Sequence, residues 1–215
     1  MSIRFYDSRY AASEVGTEFG WEAATDIAEL MRNSDIVSVH LSATDTGGES
    51  NEGIITAKRL MLLGADRPES SPRIFLNLSR GFLHAPEDLI AAIEAGVIRR
   101  AAVDVYPQEP RGGETWQNPY AGTTKVIVSP HIGAATQEAQ PRIARRVART
   151  LGLFSRSGNV RDTVFAPRSQ LGLAESAGQG KVLLAVVHST ARGTKRAVDD
   201  AIYQAGASNL SSVHK

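Results

Sequence analysis

The 215-residue sequence contains no cysteine, so disulfide bonds and thiolate chemistry are excluded. It also lacks an excess of charge, because 24 basic and 23 acidic residues leave a net charge of +1. This balance gives no electrostatic reason to expect nucleic acid or a membrane surface as a partner. No apolar run is long enough to cross a bilayer, and the amino-terminal residues lack the basic-then-apolar pattern of a signal peptide. We therefore expect a cytoplasmic protein.

Short apolar runs alternate with amphipathic segments along most of the chain. The runs that predict strands are residues 3–6, 36–41, 73–79, 101–105 and 125–130. The segments that predict helices are residues 22–33, 56–63, 86–95 and 136–157. Strands that alternate with helices predict βαβ units, so the expected fold class is α/β with a mainly parallel, doubly wound sheet.

Three of the predicted strands are followed by polar residues of different chemistry. Arg80 comes directly after the run 73–79, Glu109 lies a few residues past the run 101–105, and His131 closes the run 125–130. In open α/β sheets, ligands bind outside the carboxyl ends of the strands. We therefore expect Arg80, Glu109 and His131 to meet along one edge of the sheet.

The three side chains suit one kind of reaction. Arg80 can hold a carboxylate with two parallel hydrogen bonds, and His131 can exchange a proton near neutral pH. Glu109 can accept a hydrogen bond from the other ring nitrogen and favour the protonated imidazole. Each residue alone also has an ordinary structural explanation as a surface, loop or turn residue. Together they indicate redox chemistry at a carbonyl carbon beside a carboxylate, in which a hydride reaches carbon and His131 gives a proton to oxygen.

The segments around these residues resemble those of a known family. They read Asn-Leu-Ser-Arg-Gly at 77–81, Ala-Val-Asp-Val-Tyr-Pro-Gln-Glu-Pro at 102–110 and Ser-Pro-His-Ile-Gly-Ala-Ala-Thr-Gln-Glu-Ala at 129–139. In this order they are similar to the motifs of the D-2-hydroxyacid dehydrogenases, and most of all to the D-3-phosphoglycerate dehydrogenases within that family. The resemblance runs from about Ile3 to Gln140 and implies a partial Rossmann-like domain.

The resemblance also implies roles for particular residues. Arg80, Glu109 and His131 take the catalytic roles, and the substrate is a small 2-hydroxy or 2-keto acid, above all D-3-phosphoglycerate of serine biosynthesis. The cofactor is NAD, no metal is needed, and the parent protein forms homo-oligomers. Asp7 ends a strand where such proteins bind the adenosine ribose, and an acidic residue there favours NAD over NADP. The residues expected to bind the cofactor are Asp7, His40, Leu78, Ser79, Asp104 and Gly133.

The sequence departs from the family pattern in one important respect. No Gly-x-Gly-x-x-Gly, the turn that holds the cofactor pyrophosphate, occurs in the 215 residues. We therefore expect a fragment that lacks the amino-terminal part of such an enzyme, binds NAD poorly and turns over slowly or not at all.

The expected organisation has three parts. Residues 1–140 form the partial NAD-binding domain that carries the catalytic residues, and residues 141–180 form a helix and a connector. Residues 181–215, with an apolar run at 182–187 and a helix at 194–205, resemble a truncated small α+β regulatory segment of the ACT type. Thr190 and Arg192 replace two residues of the usual effector loop, which argues against regulation by serine.

Two other functions stay open on the sequence alone. The protein can be a non-catalytic ligand-binding or assembly protein that retains the residues of the family. It can also be a dehydrogenase for glycerate, lactate or another small 2-hydroxy acid, because residues 1–140 contain little of the part that selects the tail of the substrate.

Overall fold

The structure is a computed structural model that describes residues 1–8, 16–45, 47–110, 115–159, 184, 186 and 192–212. It divides into two compact units, Met1–Gln140 and Pro141–Lys215. Among the described residues, no helix is both long and apolar enough to cross a membrane.

The first unit opens with a small parallel sheet of two strands, β1 (Arg4–Phe5) and β2 (Glu22–Ala23). Arg4 ties the start of this sheet to the following helix, because its guanidinium donates to Glu22 at 2.6 Å and to Glu29 at 3.1 Å.

The predicted helix over residues 22–33 is wrong at its beginning. Glu22 and Ala23 pair with β1, and helix α1 extends only over Ile27–Arg32. The reason is Asp26, whose side chain accepts the backbone N–H of Glu29 at 2.7 Å and so caps the helix. A carboxylate in this position satisfies a donor that the first turn of a helix leaves unpaired, and it determines where the helix begins.

The main sheet consists of four parallel strands in the order β3-β4-β5-β6. Their bounds are β3 Ile36–Val39, β4 Ile74–Asn77, β5 Arg100–Val103 and β6 Val126–Val128. The connections carry helix α2 (Ala57–Leu60), a 3₁₀ turn (Gly81–Leu83) and helix α3 (Pro86–Glu94). The expected α/β class with a parallel sheet is therefore confirmed.

One face of this sheet forms the core of the unit. The neighbouring residues Val37, Phe75, Ala101 and Val126 form a row across the four strands, and all of them are buried. They share one apolar cluster with buried side chains of α1, α2 and α3. Apolar contact with a layer of helices therefore holds the strands in place.

The opposite face is much more open. The corresponding row consists of Ser38, Leu76, Ala102 and Ile127, and Ile127 at the edge is 71% exposed. The strand order explains the difference, because right-handed crossovers that always step in the same direction place their helices on one face. Within the described residues of the first unit, the helices thus cover one side of the sheet.

The second unit contains helix α5 (Thr194–Gln204), and helix α4 (Ala139–Ser157) extends into it from the first unit. Helix α4 begins three residues later than the predicted 136–157, which leaves Pro141 in its first turn, where a backbone donor is not needed. Helix α5 confirms the predicted helix at 194–205. The predicted strand at 182–187 lies outside the described residues except for Leu184 and Val186. The ACT-like segment and the connector stay predictions.

A buried histidine lies between the 3₁₀ turn and α3. His84 is 2% exposed, and its ring lies edge-on against Phe75 at a centroid distance of 5.4 Å. Its Nδ1 lies 3.1 Å from the carbonyl of Ala85, and its Nε2 has no hydrogen-bond partner among the described residues. Burial lowers the pKa of His84 below its ordinary value. This effect outweighs the hydrogen bond with the carbonyl of Ala85 and the negative charge of Asp88, which both raise the pKa.

Protonation of His84 should therefore destabilise the fold. Its pKa is lower in the folded than in the unfolded chain, so below pH 6.5 the unfolded chain binds the proton more readily. The free energy of unfolding should fall below this pH, by at most about 1.4 kcal/mol per pH unit for one proton. Urea titrations followed by fluorescence can measure this, since Trp21 and Trp116 both lie in the first unit. His84→Leu should flatten the dependence, whereas His40→Gln, at an exposed position, should leave it unchanged. An equally steep profile in His84→Leu would contradict the expectation.

Candidate active site

The parallel register aligns the ends of three strands. Asn77 at the end of β4 pairs with Val103 at the end of β5, and Val103 pairs with Val128 at the end of β6. The segments that carry Arg80, Glu109 and His131 therefore leave the sheet at the same edge.

Glu109 and His131 are in direct contact at this edge. The Oε2 atom of Glu109 lies 2.8 Å from Nδ1 of His131, although the two residues are 22 positions apart. Their side chains are 38% and 47% exposed, so the pair is open to solvent and to a ligand. A neutral imidazole that donates from Nδ1 has an unprotonated Nε2, which can accept a proton. The arrangement suits general acid–base catalysis.

A buried carboxylate shapes the turn that carries His131. His131 has a φ of +54°, in the left-handed region that few non-glycine residues adopt. Asp104 accepts hydrogen bonds from the hydroxyl of Ser129 at 2.6 Å and from the backbone N–H groups of Ile132 and Gly133, each at 3.0 Å. These contacts lie on both sides of His131 and hold the turn in its unusual conformation.

The electrostatics of Asp104 agree with this role. Burial alone would raise the pKa of its carboxyl, but the three hydrogen bonds and the neighbouring His131 lower the pKa below its ordinary value. Asp104 therefore stays ionised, and an ionised carboxylate is the stronger acceptor for the three donors. Its role in binding the cofactor stays a prediction.

The turn that carries Arg80 is organised by Asn77. This side chain is fully buried, its amide donates to the carbonyl of Arg80 at 2.9 Å, and its oxygen accepts the N–H of Ser79 at 3.2 Å. The guanidinium of Arg80 is exposed and donates to the carbonyl of Ser79 at 2.6 Å. An exposed guanidinium on a hydrogen-bonded turn is well placed to bind an anionic group from solution.

The structure places the predicted cofactor residues in two regions. Asp7 is half-buried and follows β1 of the two-stranded sheet. The others follow the strands of the main sheet. Beyond β3, Nε2 of His40 lies 2.8 Å from the hydroxyl of Ser38. Beyond β4, Leu78 is 49% exposed. Their contacts with NAD stay predictions.

Three residues that organise the site received no role from the sequence. They are Asn77, Tyr106 and Ser129, all inside the motifs. Asn77 makes hydrogen bonds within its own turn, whereas Tyr106 and Ser129 each make one to a neighbouring site segment. A polar residue at the end of an apolar strand was the available signal. In the described part of the chain, no group of three or more acidic or histidine side chains could hold a metal ion.

Comparison with known proteins gives a consistent result. The family model of the "D-isomer specific 2-hydroxyacid dehydrogenase, NAD binding domain" matches residues 1–133. D-3-phosphoglycerate dehydrogenase 2 of Saccharomyces cerevisiae is 29% identical over 181 residues, which are 80% of this chain and 36% of the yeast protein. D-3-phosphoglycerate dehydrogenase of Methanocaldococcus jannaschii is 31% identical over 175 residues, which are 80% of this chain and 30% of that protein.

A solved structure supports the same relationship. The apo form of Rhodotorula graminis D-mandelate dehydrogenase superimposes with a TM-score of 0.54 at 25% sequence identity, covering 72% of this chain and 41% of the other. The chain thus spans about a third of the length of the curated relatives and less than half of this structural neighbour.

The contacts of Asn77 lead to a test of how the arginine turn is held. Asn77→Ala should lower the free energy of unfolding by about 1–3 kcal/mol, because it removes the hydrogen bond to the carbonyl of Arg80 and the acceptor of the Ser79 N–H. Ser79→Ala, which removes only a hydroxyl 3.4 Å from Asn77, should change it by no more than about 0.5 kcal/mol. Urea denaturation measures both variants, and equal effects would contradict the role of Asn77.

Proposed function

Because the chain belongs to the D-isomer specific 2-hydroxyacid dehydrogenase family, we propose that the protein oxidises the CH–OH group of a small D-2-hydroxy acid with NAD. The substrate that we propose is D-3-phosphoglycerate, which becomes 3-phosphohydroxypyruvate in the synthesis of serine. The observation that carries the proposal is the 2.8 Å contact between Glu109 and His131, at the sheet edge where the segment of Arg80 also leaves its strand. The cytoplasmic location and the homo-oligomer implied by the resemblance stay predictions.

Residues that follow strands of the two sheets fit a nicotinamide dinucleotide in their chemistry. Leu78 and Ile132 are 49% and 45% exposed, so apolar side chains are available to pack against a planar ring. Asp7 follows β1 and offers a carboxylate to the hydroxyls of a ribose. These residues would hold the cofactor. NAD, when bound, supplies the acceptor for the hydride that leaves the substrate carbon.

The side chains of this protein would perform the remaining steps. Arg80 binds the carboxylate of the acid through two parallel hydrogen bonds and so orients the reacting carbon. Nε2 of His131 accepts the proton of the substrate hydroxyl while the C–H bond of the same substrate carbon breaks. Glu109 stabilises the imidazolium that forms. In the reverse direction, His131 returns this proton to the carbonyl oxygen.

The choice of substrate rests on the relatives. The curated proteins from yeast and from Methanocaldococcus jannaschii are both D-3-phosphoglycerate dehydrogenases, at 29% and 31% identity. The structural neighbour is a mandelate dehydrogenase, so related folds serve other 2-hydroxy acids. A substrate panel must therefore accompany the test.

The activity is tested by NADH oxidation with the 215-residue chain. We expect slow turnover at millimolar NADH, fastest with 3-phosphohydroxypyruvate and slower with hydroxypyruvate, glyoxylate or pyruvate. The rate should be low because a chain without a Gly-x-Gly-x-x-Gly turn binds the pyrophosphate weakly. Rapid turnover at micromolar NADH would contradict the weak binding of the cofactor. A preference for another acid would contradict 3-phosphohydroxypyruvate as the proposed substrate.

Calorimetry separates catalysis from a ligand-binding role. NAD should bind weakly but measurably, whereas serine should not bind. Binding of serine without binding of NAD, together with no oxidation of NADH by any acid of the panel, would contradict the proposed reaction and favour a non-catalytic protein.

The roles of His131 and Arg80 predict different kinetic defects. His131→Ala should lower kcat by about 10²–10⁴-fold, because it removes the proton acceptor, and should change KM little. Arg80→Lys should mainly raise the KM for the acid, because an ammonium group cannot form the two-point contact with a carboxylate. Steady-state kinetics with 3-phosphohydroxypyruvate measure both effects. An unchanged kcat in His131→Ala would remove His131 from the mechanism.

A further inference from the structure

Tyr106 connects the two halves of the acid–base pair. Its backbone N–H donates to Oε1 of Glu109 at 3.3 Å, and its hydroxyl donates to the carbonyl of Ser129 at 2.9 Å. Ser129 lies two residues before His131, in the segment that follows β6. One residue therefore binds the carboxylate and, through its side chain, the histidine turn.

The arginine turn also abuts Tyr106. Gly81, the residue after Arg80, lies so close to Tyr106 that a Cβ atom at position 81 would be 1.9 Å from the carbonyl carbon of Tyr106 and 2.1 Å from its oxygen. Only glycine allows this approach of the two backbones. The backbone of Tyr106 thus determines the distance between the arginine segment and the other two.

The phenol of Tyr106 is held in one orientation. Tyr106 is 7% exposed. Its ring packs edge-on against Trp116 and tilted against Tyr120, with centroid distances of 4.7 Å and 6.3 Å. Burial raises the pKa of Tyr106, and the carboxylates of Asp104 and Glu109 raise it further. The hydroxyl is therefore protonated at neutral pH and remains a donor to Ser129.

We propose that Tyr106 is a positioning residue, whose hydroxyl keeps the His131 turn in the place where the imidazole meets Glu109. The proposal rests on the proposed dehydrogenase function only for its kinetic consequence. Tyr106 touches the residues that carry the reaction rather than the substrate. Because misplacement of a reacting group by about 1 Å can cost as much as 100-fold in rate, the loss of this hydrogen bond should be visible in kcat.

Tyr106→Phe tests the role of the hydroxyl alone, since the ring and the backbone N–H remain. The first measurement is ¹⁵N NMR of the His131 ring at a pH where it is neutral, with the signal assigned by its loss in His131→Ala. Contact with Glu109 favours the Nδ1–H tautomer, so we expect the fraction of this tautomer to fall at least twofold in Tyr106→Phe. This measurement requires no turnover.

The second measurement is the kinetics of NADH oxidation. We expect kcat to fall about 3- to 30-fold in Tyr106→Phe. The KM for the 2-keto acid should stay within twofold of the wild-type value. Urea denaturation of the same sample shows whether the variant is folded under the conditions of the assay.

Tyr120→Phe is the matched control. Tyr120 is 2% exposed and packs against Tyr106, but its hydroxyl has no hydrogen-bond partner among the described residues. The same chemical change in the same aromatic cluster should therefore leave the tautomer fraction and kcat unchanged. A general loosening of the cluster would affect both variants alike.

The outcomes separate the positioning role from the proposed function. A tautomer fraction that Tyr106→Phe leaves unchanged would overturn the positioning role, and so would equal effects of Tyr106→Phe and Tyr120→Phe. If the unchanged protein oxidises NADH with no acid of the panel, the proposed function fails. The NMR comparison still decides the role of Tyr106 in that case.

Discussion

The parallel register of β4, β5 and β6 is the constraint on which the site depends. Apolar burial against a layer of helices on one face holds these strands, and the register brings their carboxyl ends to a common edge. An arginine, a glutamate and a histidine that are tens of residues apart in sequence thereby leave the sheet side by side. A shift of β6 by one residue would reverse the faces of its side chains and move His131 away from Glu109.

Buried polar groups convert this alignment into a defined geometry. Asn77 and Asp104 lie at the ends of strands where apolar residues would be easier to bury, and a buried carboxylate or amide is costly unless it is fully hydrogen-bonded. Here each of them binds the turn that follows a strand, and Asp104 stabilises the left-handed backbone of His131. Tyr106 adds a link between these turns. The precision of the site thus comes from residues that do not carry out the proposed reaction.

One face of the main sheet is open among the described residues. Ile36 and Ile127 are exposed on the side away from α1, α2 and α3, whereas parallel sheets are generally covered on both faces. The chain spans about a third of the length of its curated relatives. The described residues of the first unit thus contain one helix layer, the sheet and the contact between Glu109 and His131.

The sequence by itself determined the α/β class and the strands of the main sheet, and it proposed Arg80, Glu109 and His131 as the catalytic residues, because apolar runs and strand-end chemistry are local patterns. It did not locate the start of α1, since the choice between helix and strand at Glu22 and Ala23 depends on pairing with β1, a long-range contact. It also left Asn77 and Tyr106 without roles. Asn77 binds Ser79 and Arg80 in its own turn, but Tyr106 acquires its partner only when the fold brings a distant backbone group to it, as β6 brings the carbonyl of Ser129 to its phenol. The tertiary structure therefore decided which groups hold the proposed catalytic residues in place, because hydrogen bonds across 20 or more residues exist only after the strands have paired.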